Sequence, residues 1–103
     1  MQERSCSPNV FIPNAFSPNG DGINDELRPF IESTGTIIRY EWAIFNRWGA
    51  LVFRSENPIE TWEGTTSGQR VPAGNYIWKL LLEVESLEGL QRLNTSGEVT
   101  LFP

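Results

Sequence analysis

The two aspartates of the chain, Asp21 and Asp25, fall in one short stretch, Ser17-Pro18-Asn19-Gly20-Asp21-Gly22-Ile23-Asn24-Asp25. Ser17, Asn19, Asp21 and Asp25 offer side-chain oxygens and Ile23 a carbonyl. Groups at every second position of a tight turn converge on one point, and Gly20 and Gly22 permit the left-handed bends that wrap a backbone around an ion. The chemistry this pattern offers is coordination of a hard cation, with calcium the natural occupant in a structural role. The same dipeptides also build an ordinary Asn-Gly/Asp-Gly double turn with no ion, so the sequence leaves both readings open.

The spacing resembles the Asp-x-Asp-x-Asp-Gly-x-x-Asp loops of dockerins and thrombospondin type 3 repeats, with Ser17, Asn19, Asp21 and Asp25 at the four ligand positions. Ser17 replaces the first carboxylate. Arg28 stands where an EF-hand would place its closing Glu, although Glu26 is nearby. Two certain carboxylates imply a weak or structural site.

Catalytic groups are scarce. With no His and the single Cys6 near the chain start, Ser-His, Cys-His and zinc-His arrangements are excluded. Glu41, Glu56, Glu60, Glu63, Glu83 and Glu85 supply carboxylates for glycoside chemistry, but no context singles out a pair, and the expectation is that the chain is no enzyme.

Composition bounds the partners. A chain of 103 residues with 39% hydrophobic side chains fills one domain core. Its net charge of -5 argues against nucleic acid and anionic membrane surfaces, which demand clustered Lys and Arg. The strongest apolar run, Tyr76 to Leu82, contains Lys79 and is far shorter than the roughly 20 residues a bilayer helix needs. The start, Met1 to Cys6, has no apolar signal core; residues 1–8 are expected to be an extension from a parent protein and residues 9–103 a single domain.

These groups must be positioned by strands, because the hydrophobic period is two rather than 3.6. Val10 to Phe16 is extended and broken at Pro13, and Leu27 to Ile31 is a short strand containing Pro29. Ile37 to Asn46 alternates Tyr40, Trp42 and Ile44 with Ala43 and Phe45. Asn46-Arg47-Trp48-Gly49 turns the chain into a partner strand at Ala50 to Arg54. Trp48 at this turn either folds back as a lid over the core or meets a partner. Trp62 belongs to the core, and Thr65 to Arg70 is a polar loop.

Val71-Pro72-Ala73-Gly74 has a type II turn pattern that launches the longest strand, Asn75 to Glu85. Ser86 to Gly89 turns again, Leu90 to Asn94 continues, and Gly97 to Phe102 is a terminal strand. Short strands separated by turn signals predict an all-β, two-sheet antiparallel sandwich of about seven strands.

Five blocks then carry a resemblance over nearly the whole chain. They are Phe11 to Asp25, Phe45-Asn46-Arg47-Trp48-Gly49 with Val52-Phe53, Trp62-Glu63-Gly64, Val71-Pro72-Ala73-Gly74-Asn75-Tyr76, and Gly97-Glu98-Val99-Thr100-Leu101. In order and spacing they resemble the gliding motility-associated C-terminal domain, the type B sorting domain of the type IX secretion system. The third and fourth blocks also resemble the immunoglobulin-like part of flagellar hook-capping proteins. The resemblance implies an immunoglobulin-like sandwich at the C-terminus of a larger exported protein of Bacteroidota. It further implies a cargo domain N-terminal in the same chain, and as partners the outer-membrane type IX translocon and an associated outer-membrane anchoring protein. The location it implies is the cell surface or the medium, reached through the periplasm.

A signal of this kind works by shape. Its terminal strand and exposed loops are what a receptor meets, and strand addition is one mode. The residues expected at that surface are Arg47 and Trp48 of the turn and Gly97, Val99 and Leu101 of the last strand. The alternative is a calcium-stabilised immunoglobulin-like adhesion or spacer module of a surface protein, which shares the fold without the export function.

Overall fold

Alternation of large apolar and polar side chains dictates a sheet with one buried face, and a five-stranded sheet of that kind is the centre of the molecule. The computed structural model describes residues 9–18, 25–33, 35–66 and 68–102. Along them run β1 (Asn9–Phe11), β2 (Ala15–Phe16), β3 (Phe30–Glu32), β4 (Thr36–Phe45), β5 (Leu51–Ser55), β6 (Thr65–Thr66), β7 (Gln69–Arg70), β8 (Gly74–Ser86) and β9 (Gly89–Leu101). The central sheet has the order β2-β9-β8-β4-β5; β1 pairs with β3, and β6 with β7. The result is the expected all-β, sandwich-like architecture.

Register decides which side chains meet. Tyr40, Trp42 and Ile44 of β4 stand opposite Leu82, Leu80 and Trp78 of β8, and Leu82 and Tyr76 stand opposite Leu93 and Val99 of β9. A period of two puts all of these on one face. Phe16, Leu27 and Trp62 complete the buried cluster, with Val10, Ile12 and Ile31 from the β1 and β3 region packed against it. Trp62 is its hub. Its ring lies 5.3 Å from Phe16 and 5.4 Å, edge-on, from Tyr76, and its indole N–H donates to the Thr65 carbonyl at 2.9 Å. Burying a ring of this size contributes a few kcal/mol, provided its polar atom is bonded.

Several elements depart from the sequence expectation for local reasons. The segment Leu27 to Ile31 is not one strand. Pro29 has no N–H to give a ladder, so Leu27 makes only an isolated bridge to Trp62, with 2.9 Å bonds in both directions, and β3 begins at Phe30. Thr65 to Arg70 is not a plain loop; Thr65 and Thr66 pair with Arg70 and Gln69 as a small hairpin. The two last strands expected at Leu90 to Asn94 and Gly97 to Phe102 are one continuous strand, β9, paired with β8 along its length.

The edge of β9 is also not free at its end. β2 pairs with it in parallel through Ala15 and Phe16 opposite Thr100 and Leu101. The Thr100 and Phe102 N–H groups donate to the carbonyls of Asn14 and Phe16, each at 2.9 Å. Among the described residues no strand pairs with the outer edge of β9 before Thr100.

Candidate functional site

The turn between β4 and β5 is built by one side chain. Asn46 Oδ1 accepts from the N–H groups of Trp48 and Ala50, both at 2.9 Å, while the Gly49 N–H donates to the Asn46 carbonyl and the Asn46 N–H to Ala50. Gly49 has φ +84°, the left-handed conformation that closes a type I turn with a bulge in a three-residue hairpin. Asn at the first position and Gly at the fourth are thus chosen by the backbone, which leaves the two central positions free for other work. They carry Arg47 and Trp48.

Trp48 does not fold back as a lid: its side chain is 78% exposed. The Arg47 guanidinium lies over its ring, 4.7 Å from the centroid, in a cation-π contact. Behind them is a groove of about 320 Å³, walled by Val52, Val71, Pro72 and Tyr76 with Arg47 and Trp48 at its rim. Its floor is fixed by the Tyr76 hydroxyl, which donates to the Pro72 carbonyl. This resembles the tyrosine corner of immunoglobulin-like sandwiches, where a Tyr near a strand start bonds back to the chain just before it. Burial pushes the Tyr76 phenol above its ordinary pKa, and the positive charge of Arg47 works against that shift. Gly74, at φ +146°, is the last residue of the Val71–Gly74 turn and not the third, where a type II turn has its positive φ, and space beside it is open. A second groove, about 410 Å³, runs on from the first past Arg47, Gly74 and Asn75 to Ile77 and Glu98.

Among the described residues the first groove is lined by no carboxylate, thiol or amine. What it can do chemically is take up an apolar group against Val52, Val71 and Tyr76 and a polar or anionic one at Arg47. Arg47 and Trp48 are where the sequence places them, whereas the opposite wall has no counterpart among the expected contact residues. The signal for that wall is the Val71 to Tyr76 block, which the sequence marks as a strand-launching turn and as part of the family resemblance but not as a binding surface. The fold brings it beside the turn.

The other expected contact residues sit elsewhere. Val99 and Leu101 point inward and are 1% and 4% exposed, so their side chains belong to the core and not to an outer surface. Gly97 faces Trp78 across the β8–β9 ladder and is covered by that indole.

Of the expected cation ligands, Asn19, Asp21 and Ile23 lie outside the described residues. Ser17 and Asp25 at the loop's two ends are described, and each already has an interaction partner. Among the described residues no group of three acidic, Cys or His side chains clusters as a metal site. Both stems of the loop are anchored on one segment. The Pro18 carbonyl accepts from Arg70 Nη2 at 3.1 Å, and Leu27 bridges to Trp62. Gly64, at φ +81°, makes room for Pro18 and Leu101, each of which would stand 3.1 Å from a Cβ there.

Residues 10–97 match the CHU_C type IX secretion signal domain family. The chain belongs to that family. The matched span takes in the loop, the Asn46 to Gly49 turn and the Val71 to Tyr76 wall, and the family is one of secretion signals and not of enzymes. No curated protein and no solved structure matches the chain. A type IX secretion signal domain marks a secreted protein for its secretion machinery, and no helix among the described residues is long and apolar enough to cross a membrane.

Proposed function

We propose that this domain directs a larger exported protein, its cargo, through the type IX outer-membrane translocon to the cell surface or medium, and that the machinery reads its folded surface at the Asn46–Gly49 turn. The observation that carries the reading is the family match over residues 10–97. The turn supports its finer part: a Trp on a turn held by several hydrogen bonds exposes a large apolar surface, as binding surfaces require. The expected contacts on the last strand enter this reading differently. Val99, Leu101 and Gly97 hold β9 in the sheet that carries the turn and its groove, and partner contact on β9 would fall on its outward groups.

The Ser17 to Asp25 loop is proposed to hold calcium, with Ser17, Asn19, Asp21, the Ile23 carbonyl and Asp25 as donors. The set fits a hard cation, since every donor is oxygen. When bound, the ion would add stability outside the cell, where extracellular modules typically bind in the range of roughly 10⁻⁴ to 10⁻³ M.

The test is a fusion. Placed at the C-terminus of a fluorescent cargo bearing an ordinary export signal, the domain should carry that cargo out of the periplasm of a type IX-competent host. Cargo that remains periplasmic, beside a native type IX substrate that is secreted normally, would leave the adhesion or spacer reading in its place.

A further inference from the structure

We propose that the groove between the Asn46–Gly49 turn and the Val71–Tyr76 wall binds a linear peptide segment in which a carboxylate lies close to an apolar side chain. The inference deepens the sorting reading, and rests on it only for where such a segment would be met.

Several cations of the chain are already neutralised. Arg39 pairs with Glu41 at 2.9 Å, Arg54 with Glu56 at 2.8 Å and Arg92 with Glu83 at 3.0 Å. Arg47 has no carboxylate partner among the described residues; its contact is the Trp48 ring. In a chain of net charge -5, an unpaired guanidinium held over an indole at the mouth of a groove is a local positive spot. A guanidinium presents paired N–H donors whose spacing matches a carboxylate, and such charge-assisted bonds are the stronger kind.

The remaining walls say what stands beside that carboxylate. Val52, Val71 and Pro72 bring apolar side chains to the groove, beside the buried Tyr76 and the exposed ring of Trp48. An apolar side chain fits there with the acid on Arg47. Extended shape follows from the second groove, which shares Arg47, Gly74 and Asn75 and continues toward Ile77. A chain crossing both would pass Gly74, where no side chain blocks the backbone. An anionic membrane surface is disfavoured by the chain's own negative charge and by Glu98 in the second groove.

The experiment uses the 103-residue chain, labelled with ¹⁵N, and short synthetic peptides blocked at both ends. One set fixes Glu and Leu at each short spacing on a Ser/Gly background; its match carries Gln for Glu. The Glu set should give saturable shifts at the amides of Arg47, Trp48, Gly74 and Tyr76 and at the Trp48 indole N–H, weakening as salt rises. Arg47→Gln, with unchanged spectral dispersion elsewhere, should bind about tenfold more weakly, the scale of one charge-assisted hydrogen-bonded pair. Equal binding of the Gln set, undiminished binding by Arg47→Gln, or shifts caused by phosphatidylglycerol vesicles and not by peptides would each overturn the proposal. Such a failure leaves the sorting reading untouched, because export of a fused cargo measures that separately. Arg47-dependent peptide binding upholds the groove assignment whatever the export assay shows.

Discussion

Gly97 lies directly under the indole of Trp78: a Cβ at that position would stand 2.6 Å from Cζ2 and 2.9 Å from Cε2 of the ring. Trp78, half-buried, in turn packs 5.6 Å from Trp42, so the missing side chain on β9 is what admits the second ring to the core. Gly97→Ala should therefore cost about 1 to 3 kcal/mol, the range for overpacking. In a Trp78→Leu background most of that cost should vanish, as coupled neighbours require. Urea titration of the four proteins measures it. An equal cost in both backgrounds would show that the ring is not the obstacle.

The tryptophans separate by burial. Trp42 is 0% exposed, and Trp42→Ala should lose about 3 to 5 kcal/mol or fail to fold. Trp48→Ala removes an exposed ring from a turn held by Asn46, and should change stability by less than about 0.5 kcal/mol. Calorimetry of the two variants checks the contrast; a large loss at Trp48 would mean that its ring stabilises the fold after all.

Tyr40 and Tyr76 are both buried but differ in bonding. Among the described residues the Tyr40 hydroxyl has no hydrogen-bond partner, whereas that of Tyr76 donates to Pro72. Tyr40→Phe should be neutral or stabilising, and Tyr76→Phe should cost about 0.5 to 1.5 kcal/mol. Burial raises the Tyr40 phenol well above its ordinary pKa, with Arg28 opposing and Glu60 adding to the shift. A group raised in the folded state ionises first in the unfolded chain, so its contribution is complete below about pH 10 and is lost as pH rises beyond that. Wild-type melting temperature should fall above about pH 10, and less steeply in Tyr40→Phe. Parallel profiles for the two would contradict this.

Calcium should raise the melting temperature, with a gain of about 2.7 kcal/mol at a concentration one hundredfold above the dissociation constant. Asp21→Ala and Asp25→Ala should each abolish the rise. Identical wild-type melting curves in calcium and in chelator would reduce the loop to a turn.

Much of the fold was legible because a half-buried strand has only one way to alternate. Tyr40, Trp42 and Ile44, and Tyr76, Leu80 and Leu82, are buried as their spacing requires. The continuity of β9 was not legible, since the polar Thr95 and Ser96 before Gly97 interrupt the apolar alternation. Nor was the β6–β7 hairpin, whose Thr65, Thr66, Gln69 and Arg70 carry no apolar alternation. At the candidate site, the turn could be read from Asn46 and Gly49. Exposure of Trp48 could not, because a lone aromatic at a turn has no period to assign it a face. The groove depends on bringing residues 46–52 beside residues 71–76, a tertiary relation that no local pattern encodes.

Recognition at this turn is tested most directly by how much of the native precursor is secreted when Arg47→Gln and Trp48→Ala are combined in this domain. The secreted fraction should be followed by pulse-chase in a type IX-competent host, beside wild type and a precursor lacking the domain. The doubly substituted domain, protease-resistant and folded, should leave most of the product in the periplasm, as deletion does. Secretion at the wild-type rate by the folded double variant would contradict recognition at this turn, and wild-type secretion without the domain would contradict its role as the signal.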